Sequence, residues 1–201
     1  MAYFPFFIEI ESRNILIVGG GKVAYRKLCR LLPFNPKIRV VAPKICREIY
    51  ETEGVQICER KFEKLDVLGA FAVICATDDR DLNADIFALC QENGVLVNTV
   101  DDKEHCGFIF PSLIKKDNYT VAVTTEGRSP LCCAAIREKI EAELPESLDS
   151  AVKTLSDARE LVKGRISDER NRRAAFERIL SQCRSNELTN AEILSIIEEF
   201  E

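Results

Sequence analysis

The stretch "NILIVGGGKVAYRKLCRLL" (14–32) decides the fold. Four apolar residues after Asn14 run into three glycines, and the glycines open directly onto a segment with helical spacing. Gly19, Gly21 and Ala24 satisfy the G-x-G-x-x-G/A pattern between a strand and a helix, the context a dinucleotide fingerprint requires. The first glycine permits the tight turn and the second lets the backbone approach a pyrophosphate. The small Ala24 lets helix and strand pack closely. A pyrophosphate would then sit on the free N–H groups and positive dipole end of the helix. A glycine turn that only joins strand to helix is the plainer alternative.

Working outward, further runs rich in Val, Ile and aromatics follow at 37–42 ("KIRVVA"), 55–59 ("VQICE"), 71–77 ("FAVICAT"), 95–100 ("VLVNTV") and 119–125 ("YTVAVTT"). Several are continuously apolar, as strands covered on both faces of a parallel sheet are. Helix-like segments at 21–33, 44–53 and 79–93 lie between them. The alternation predicts an α/β protein with a Rossmann-like, doubly wound, mostly parallel sheet. After Leu144-Pro145-Glu146 the strand signals stop and charged helical sequence runs on, so a small helical C-terminal domain is expected. The expected boundaries are 1–113 for the nucleotide-binding domain, 114–145 for a connecting strand and helix, and 146–201 for the helical domain. In the connecting region Ser129 is placed to cap a helix with Pro130 at its first position. Gly164 separates two later helices, and Thr189 and Glu192 have capping-box spacing before a third.

Composition narrows the function. The chain has 201 residues, 46% of them hydrophobic and 30% charged, and a net charge of −5. Such a surface is not built as a whole to hold nucleic acid. No run reaches the length of a membrane span, and the segment "MAYFPFFIEIESRN" lacks the basic start of a secretory signal. Nine cysteines are scattered mostly one at a time, with no C-x-x-C pair, and His105 is the single histidine. This pattern suits a reduced, cytoplasmic protein whose cysteines pack as small hydrophobes, with no permanent metal site.

One feature of a nicotinamide site is missing. An acid usually stands about 20 residues after the glycines to bind the ribose hydroxyls, yet the second strand ends "VVAPKI". Arg39 and Lys44 are nearby, so the residues themselves leave NAD and NADP open. Carboxylates gather elsewhere. "FAVICAT" ends in Thr77, Asp78 and Asp79, and "VLVNTV" in Asn98, Asp101 and Asp102. In a doubly wound sheet ligands bind beyond the carboxyl ends of the strands, so both clusters should share an edge with the glycine turn. Asp79 reads equally well as a helix cap. Asp101 reads as a general base within reach of a substrate, or as a solvated turn acid.

Together "YFPFFIEIESRNILIVGGGKVAYRK", "CATDDRDLNADI", "VLVNTVDDKEHCGFIFPSLI" and "TTEGRSPLCCAAIREKIE" resemble the siroheme-synthase family over roughly residues 3–144. Its members are precorrin-2 dehydrogenases, some of which also act as sirohydrochlorin ferrochelatases. The resemblance implies NAD as the cofactor, held around Gly21, Lys22, Val23, Pro43 and Lys44 with Thr77 and Asp78 nearby. It implies a catalytic role for Asp101, the aspartate of the N-x-V-D motif, and a substrate-binding role for Asn98. Ser129, the serine of the G-x-S-P turn, is placed close to the tetrapyrrole site, with Arg128 beside it. The chain departs from the pattern at Glu126, where a second glycine is common. The resemblance also implies a homodimer formed through the connecting region or the tail, and Fe²⁺ as a second substrate where a member chelates.

The expected reaction is therefore oxidation of precorrin-2 to sirohydrochlorin. A polycarboxylate substrate needs a basic wall, with candidates at Lys115, Lys116, Arg128, Arg165, Arg170, Arg172 and Arg173. Exposed charged helix faces explain the tail arginines equally well. The competing reading is a non-catalytic NAD-sensing module with a helical, partner-binding tail. The "NTVDD" and "EGRSP" motifs have no stated purpose in such a module.

Overall fold

The structure, a computed structural model, describes residues 3–102, 104–183 and 188–201. The chain divides into two compact units, one through Phe110 and one from Pro111 onward.

The first unit is built on five parallel strands: β1 (Asn14–Val18), β2 (Lys37–Val41), β3 (Val55–Cys58), β4 (Ala72–Cys75) and β5 (Leu96–Thr99). Their spatial order is β3-β2-β1-β4-β5, so chain direction across the sheet reverses between β1 and β4. That reversal is the switch point at which doubly wound sheets open a crevice. Register fixes the edge. Val18 lies opposite both Val41 and Cys75, and Cys75 lies opposite Thr99. The residues after these four strand ends therefore emerge side by side.

The continuous apolar runs are explained by burial on both faces. Ile15 and Ile17 with Ile38, Val40 and Ile74 pack against Ala24, Leu28 and Leu31 of α1 (Lys22–Leu31). Leu16 and Val18 with Val41, Val73, Cys75 and Val97 pack against Ile86 and Cys90 of α3 (Arg80–Glu92). Each fully buried aliphatic side chain contributes about 1.5–3 kcal/mol of transfer free energy. A short α2 (Arg47–Tyr50) precedes β3 and buries Ile49. Among the described residues one charged group is buried here. Asp66 accepts two 2.7 Å bonds from Arg60 and one of 2.9 Å from the Glu63 N–H, and Arg39 donates to its carbonyl at 2.7 Å.

The run at 119–125 does not extend the parallel sheet. It forms β7 (Thr120–Val123), antiparallel to β6 (Ser112–Lys115), in the second unit. Four helices follow: α4 (Pro130–Glu143), α5 (Leu148–Arg165), α6 (Glu169–Cys183) and α7 (Asn190–Glu198). Ser129 caps α4, accepting from the Cys132 N–H at 3.2 Å, with Pro130 in the first turn. Thr189 and Glu192 form the reciprocal capping box of α7. Gly164 lies in the last turn of α5, and the break before α6 follows it at 166–168. Ala151, Ala158, Val162, Ala175, Ile179, Ile193, Ile196 and Ile197 make the core of α5, α6 and α7. Among the described residues no helix is long and apolar enough to cross a membrane.

Candidate functional site

At the carboxyl edge of the sheet a cleft of about 890 Å³ lies over the switch point. Its wall includes Gly19, Gly20, Gly21, Lys22 and Val23 from the turn, Pro43 and Lys44 after β2, and Thr77 and Asp78 after β4. Of the residues expected to hold a cofactor, only Ala24 is absent from the wall. It is fully buried and sets α1 against the sheet, the packing role its small side chain suggests.

The three glycines do different work. Gly19 has φ +123°, and a Cβ there would lie 2.2 Å from the Ala76 carbonyl oxygen. A Cβ on Gly20 would lie 2.2 Å from the Lys44 carbonyl oxygen and 2.8 Å from Cα of Ile45. The Gly20 carbonyl also accepts a 2.7 Å bond from the Cys46 N–H, tying the turn to the loop after β2. The fingerprint does not name this middle glycine, and Gly20 was missed for that reason. Gly21 is the N-cap of α1, and a Cβ there would meet nothing within 4 Å. No side chain caps α1 and no acid stands in its first turn. Its leading N–H groups are free to receive an anionic ligand, with Lys22 beside them. These features fit a dinucleotide pyrophosphate.

Opposite the glycines, Thr77 and Asp79 are braced. Thr77 Oγ1 donates to Asn83 Oδ1 at 2.7 Å, and the Asn83 amide donates back to the Thr77 carbonyl at 3.1 Å. Asp79 caps α3, accepting from the Leu82 N–H at 3.0 Å. Asp78 is left exposed on the cleft wall. Arg39, one of two cations considered for a 2′-phosphate, is held by Asp66 and does not line the cleft. Lys44 and, unforeseen from sequence, Lys61 do line it.

The loop after β5 carries the second cluster. Asp101 is exposed and sits at φ +60°, in the left-handed region that non-glycine residues enter at a cost of about 1–2 kcal/mol. Strain of this kind concentrates at functional sites. Asp102 turns away to the loop itself. It accepts from the Glu104 N–H at 3.1 Å and meets His105 Nδ1 at 2.6 Å. The His105 hydrogen bond holds the Asp102 carboxyl below the usual carboxylate range. The His105 ring packs edge-on to Phe87, its centroid 4.8 Å away. Cys106 latches the loop shut, its Sγ within hydrogen-bond distance of the Thr99 and Asp102 carbonyls, 3.1 and 3.0 Å away. Burial pushes that thiol up, as it pushes Cys75 up to about 12 and Cys90 to about 11. These are packing thiols.

Asn98 is buried at the end of β5, its amide donating to the Phe108 carbonyl at 2.8 Å. Its Oδ1 is buried and has no hydrogen-bond partner among the described residues. Lys27 of α1 lies over the Phe110 ring, 4.0 Å from the centroid. Burial and then Arg30 lower its pKa, against the opposing charges of Cys106 and Asp101. Sequence reading passed over Lys27 because it sits among other helix cations.

Arg128 and Ser129 belong to the second unit. Ser129 is tied locally, its carbonyl accepting from Thr125 Oγ1 at 3.0 Å, and Arg128 pairs with Glu126 at 3.1 Å. Glu126 stands at φ +54° and Gly127 at φ +70°. The turn therefore keeps the left-handed form a glycine would take, with a glutamate in it. Among the described residues no group of three or more His, Cys, Asp or Glu side chains is placed to hold a metal.

A family described as putative NAD(P)-binding matches residues 6–112, more than half of the chain. The chain belongs to this family. The match covers the whole cleft of the NAD(P)-binding unit and the loop that carries Asp101. The full chain is similar to longer proteins. It is 42% identical over 180 residues to the siroheme synthase of Photorhabdus laumondii, a match covering 88% of this chain and 38% of that one. It is 34% identical over 204 residues to the siroheme synthase of Mannheimia succiniciproducens, covering 100% of this chain and 43% of that one. The chain thus spans less than half the length of these relatives. Among solved structures, SirC, a precorrin-2 dehydrogenase, superposes with a TM-score of 0.75 at 24% identity, covering 98% of both chains. That likeness shows that both units, the NAD(P)-binding one and the helical one, share its fold.

Proposed function

We propose that this chain is a cytoplasmic, NAD-dependent precorrin-2 dehydrogenase that forms sirohydrochlorin. The observation that carries the reading is Asp101. It is an exposed carboxylate held at positive φ on the same sheet edge as a cleft suited to a dinucleotide. The siroheme synthases it resembles and the SirC fold support a tetrapyrrole substrate. When bound in the cleft, NAD⁺ supplies the acceptor for a hydride.

The residues divide the remaining work. The glycine turn and the uncapped start of α1 would hold the pyrophosphate, and Lys22 and Lys44 stand on the same cleft wall. Oxidation removes a hydride and a proton from the macrocycle, and the Asp101 carboxylate takes the proton. Asp102, His105 and Cys106 fix the loop that presents it. Proximity and orientation are the protein's main contributions to a reaction whose redox chemistry is the cofactor's. The proposal includes a homodimer. It is supported by α4, which buries none of its residues in the single chain and leaves Leu131 and Ile136 exposed.

Asp101→Asn tests the assignment. Asparagine tolerates the left-handed backbone better than most residues, so the variant should fold and bind NAD⁺ as the parent does. Its turnover should fall by about 10²–10⁴, the range of a lost general base. Full turnover in the variant would remove Asp101 from the chemistry.

A further inference from the structure

The helical unit has a second concavity that the oxidation reading does not use. Between α5 and α6 a groove of about 680 Å³ is lined by one stripe from each helix. Along α5 the stripe runs from Val152 to Lys163, and along α6 from Glu169 to Leu180. At 1.5 Å per residue each stripe is about 16 Å long. Both stripes lie beside the core stripes that face α7, so this side of the helix pair is left open within the unit.

The lining is sorted end to end. Near the break between the helices the lining is mostly cationic, with Arg159, Lys163, Arg172 and Arg173 against the acids Glu169 and Glu177. Toward the other end the floor is Val152, Leu155, Phe176 and Leu180, all only half-buried. Arg173 is committed to Glu177 at 2.8 Å, and Lys163 lies 3.9 Å from Glu160. Arg159 and Arg172 form no ion pair among the described residues. Acids outnumber bases over residues 146–201, so the cations at this end stand against the charge of their own unit.

We propose that this groove docks a segment of a partner protein in which an apolar patch is followed by clustered carboxylates. Its apolar side chains would cover Leu155, Phe176 and Leu180. Its acids would pair with Arg159 and Arg172, the guanidinium groups that fork onto carboxylates. The sorting is what selects this occupant. A macrocycle with carboxylates around its whole rim would leave half of them over the apolar floor. An amphipathic segment matches both ends of the groove, as helix-in-groove recognition requires. The proposal does not depend on the dehydrogenase reading, and it assigns Arg172, a candidate for the substrate's basic wall, to a partner instead.

The test uses the full chain and a fluorescein-labelled peptide, leucine- and phenylalanine-rich in one half and glutamate-rich in the other. A control peptide of the same composition interleaves the two. Fluorescence anisotropy should show saturable binding of the first, weakened by added salt, and at least about tenfold weaker binding of the control. Arg159→Glu with Arg172→Glu should weaken binding by about tenfold or more, with the circular-dichroism melt of the parent retained. Equal binding of both peptides, or none, overturns the proposal. So does displacement of the peptide by uroporphyrin below the peptide's own Kd, which would make this a tetrapyrrole site. A charge-reversed protein that sediments as a monomer where the parent is a dimer would overturn it too, assigning the groove to contact between copies.

Discussion

Adding one methyl group at neighbouring glycines should break two different things. In Gly20→Ala the new Cβ would stand 2.2 Å from the Lys44 carbonyl and 2.8 Å from Cα of Ile45. Both obstacles are backbone, so the loop after β2 must move by about an ångström to restore ordinary contact. That movement strains the 2.7 Å bond from the Cys46 N–H to the Gly20 carbonyl. Overpacking of this kind costs about 1–3 kcal/mol. At roughly 4 °C per kcal/mol for a unit of this size, Tm should fall by about 4–12 °C. In Gly21→Ala the Cβ meets no protein atom, and φ of −91° suits alanine. The gain from a stiffer unfolded chain and the poorer N-cap roughly offset each other, leaving stability within about 1 kcal/mol of the parent. The methyl instead stands where a pyrophosphate must approach the backbone, so NAD⁺ affinity should fall by at least about tenfold. Thermal unfolding followed by circular dichroism, with calorimetric titration of NAD⁺, separates the two effects. A Gly20→Ala protein that melts with the parent would refute the packing argument. A Gly21→Ala protein that binds NAD⁺ normally would refute the placement of the cofactor.

Two other perturbations follow from the same reading. Asp66→Asn leaves Arg60 and Arg39 without their anion and should destabilise the NAD(P)-binding unit by roughly 2 kcal/mol, the low end for a buried pair because both arginines reach solvent. The Arg60 hydrogen bonds depress the folded Asp66 pKa, so its stabilisation is present above the unfolded value near 3.9 and is lost as pH falls through the lower folded value. Acid titration of parent and variant should therefore converge at low pH, and parallel curves would contradict the assignment. Thr189→Ala removes half of the capping box of α7 and should cost the helical unit about 1 kcal/mol. Urea unfolding with an unchanged midpoint would show that α7 is held by packing alone.

The sheet was legible because its central strands β1 and β4 are buried on both faces and read as near-continuous apolar runs, whereas the edge strand β3 is only partly buried. The run at 119–125 looked the same but pairs with 112–115, a short strand concealed behind Pro111 and the aromatic run before it. Pairing direction is set by a partner that local pattern does not reveal. The glycines and the β4 end of the cleft wall were readable from the fingerprint and the strand ends, and Lys22, Val23, Pro43 and Lys44 from the family resemblance. Gly20 was not, because its requirement comes from a loop more than twenty residues away. Asp101 and Asp102 are adjacent in sequence, and the N-x-V-D motif singles out Asp101. The fold adds a physical difference, one carboxylate being clasped to His105 and the other held at positive φ and left open. The arginines of α6 read from sequence as a wall for a polycarboxylate or as an exposed charged helix face, and the fold places Arg172 and Arg173 toward one end of a groove with an apolar floor.

The proposed reaction couples oxidation of a reduced tetrapyrrole to reduction of NAD⁺. The most direct measurement generates precorrin-2 anaerobically, adds the protein and NAD⁺, and follows NADH and sirohydrochlorin absorbance together. Both should rise in equal amounts, at a rate lowered by about 10²–10⁴ in Asp101→Asn, and later addition of Fe²⁺ reports separately on chelation. Intact precorrin-2 with NAD⁺ demonstrably bound, or sirohydrochlorin appearing without NADH, would contradict the proposed reaction.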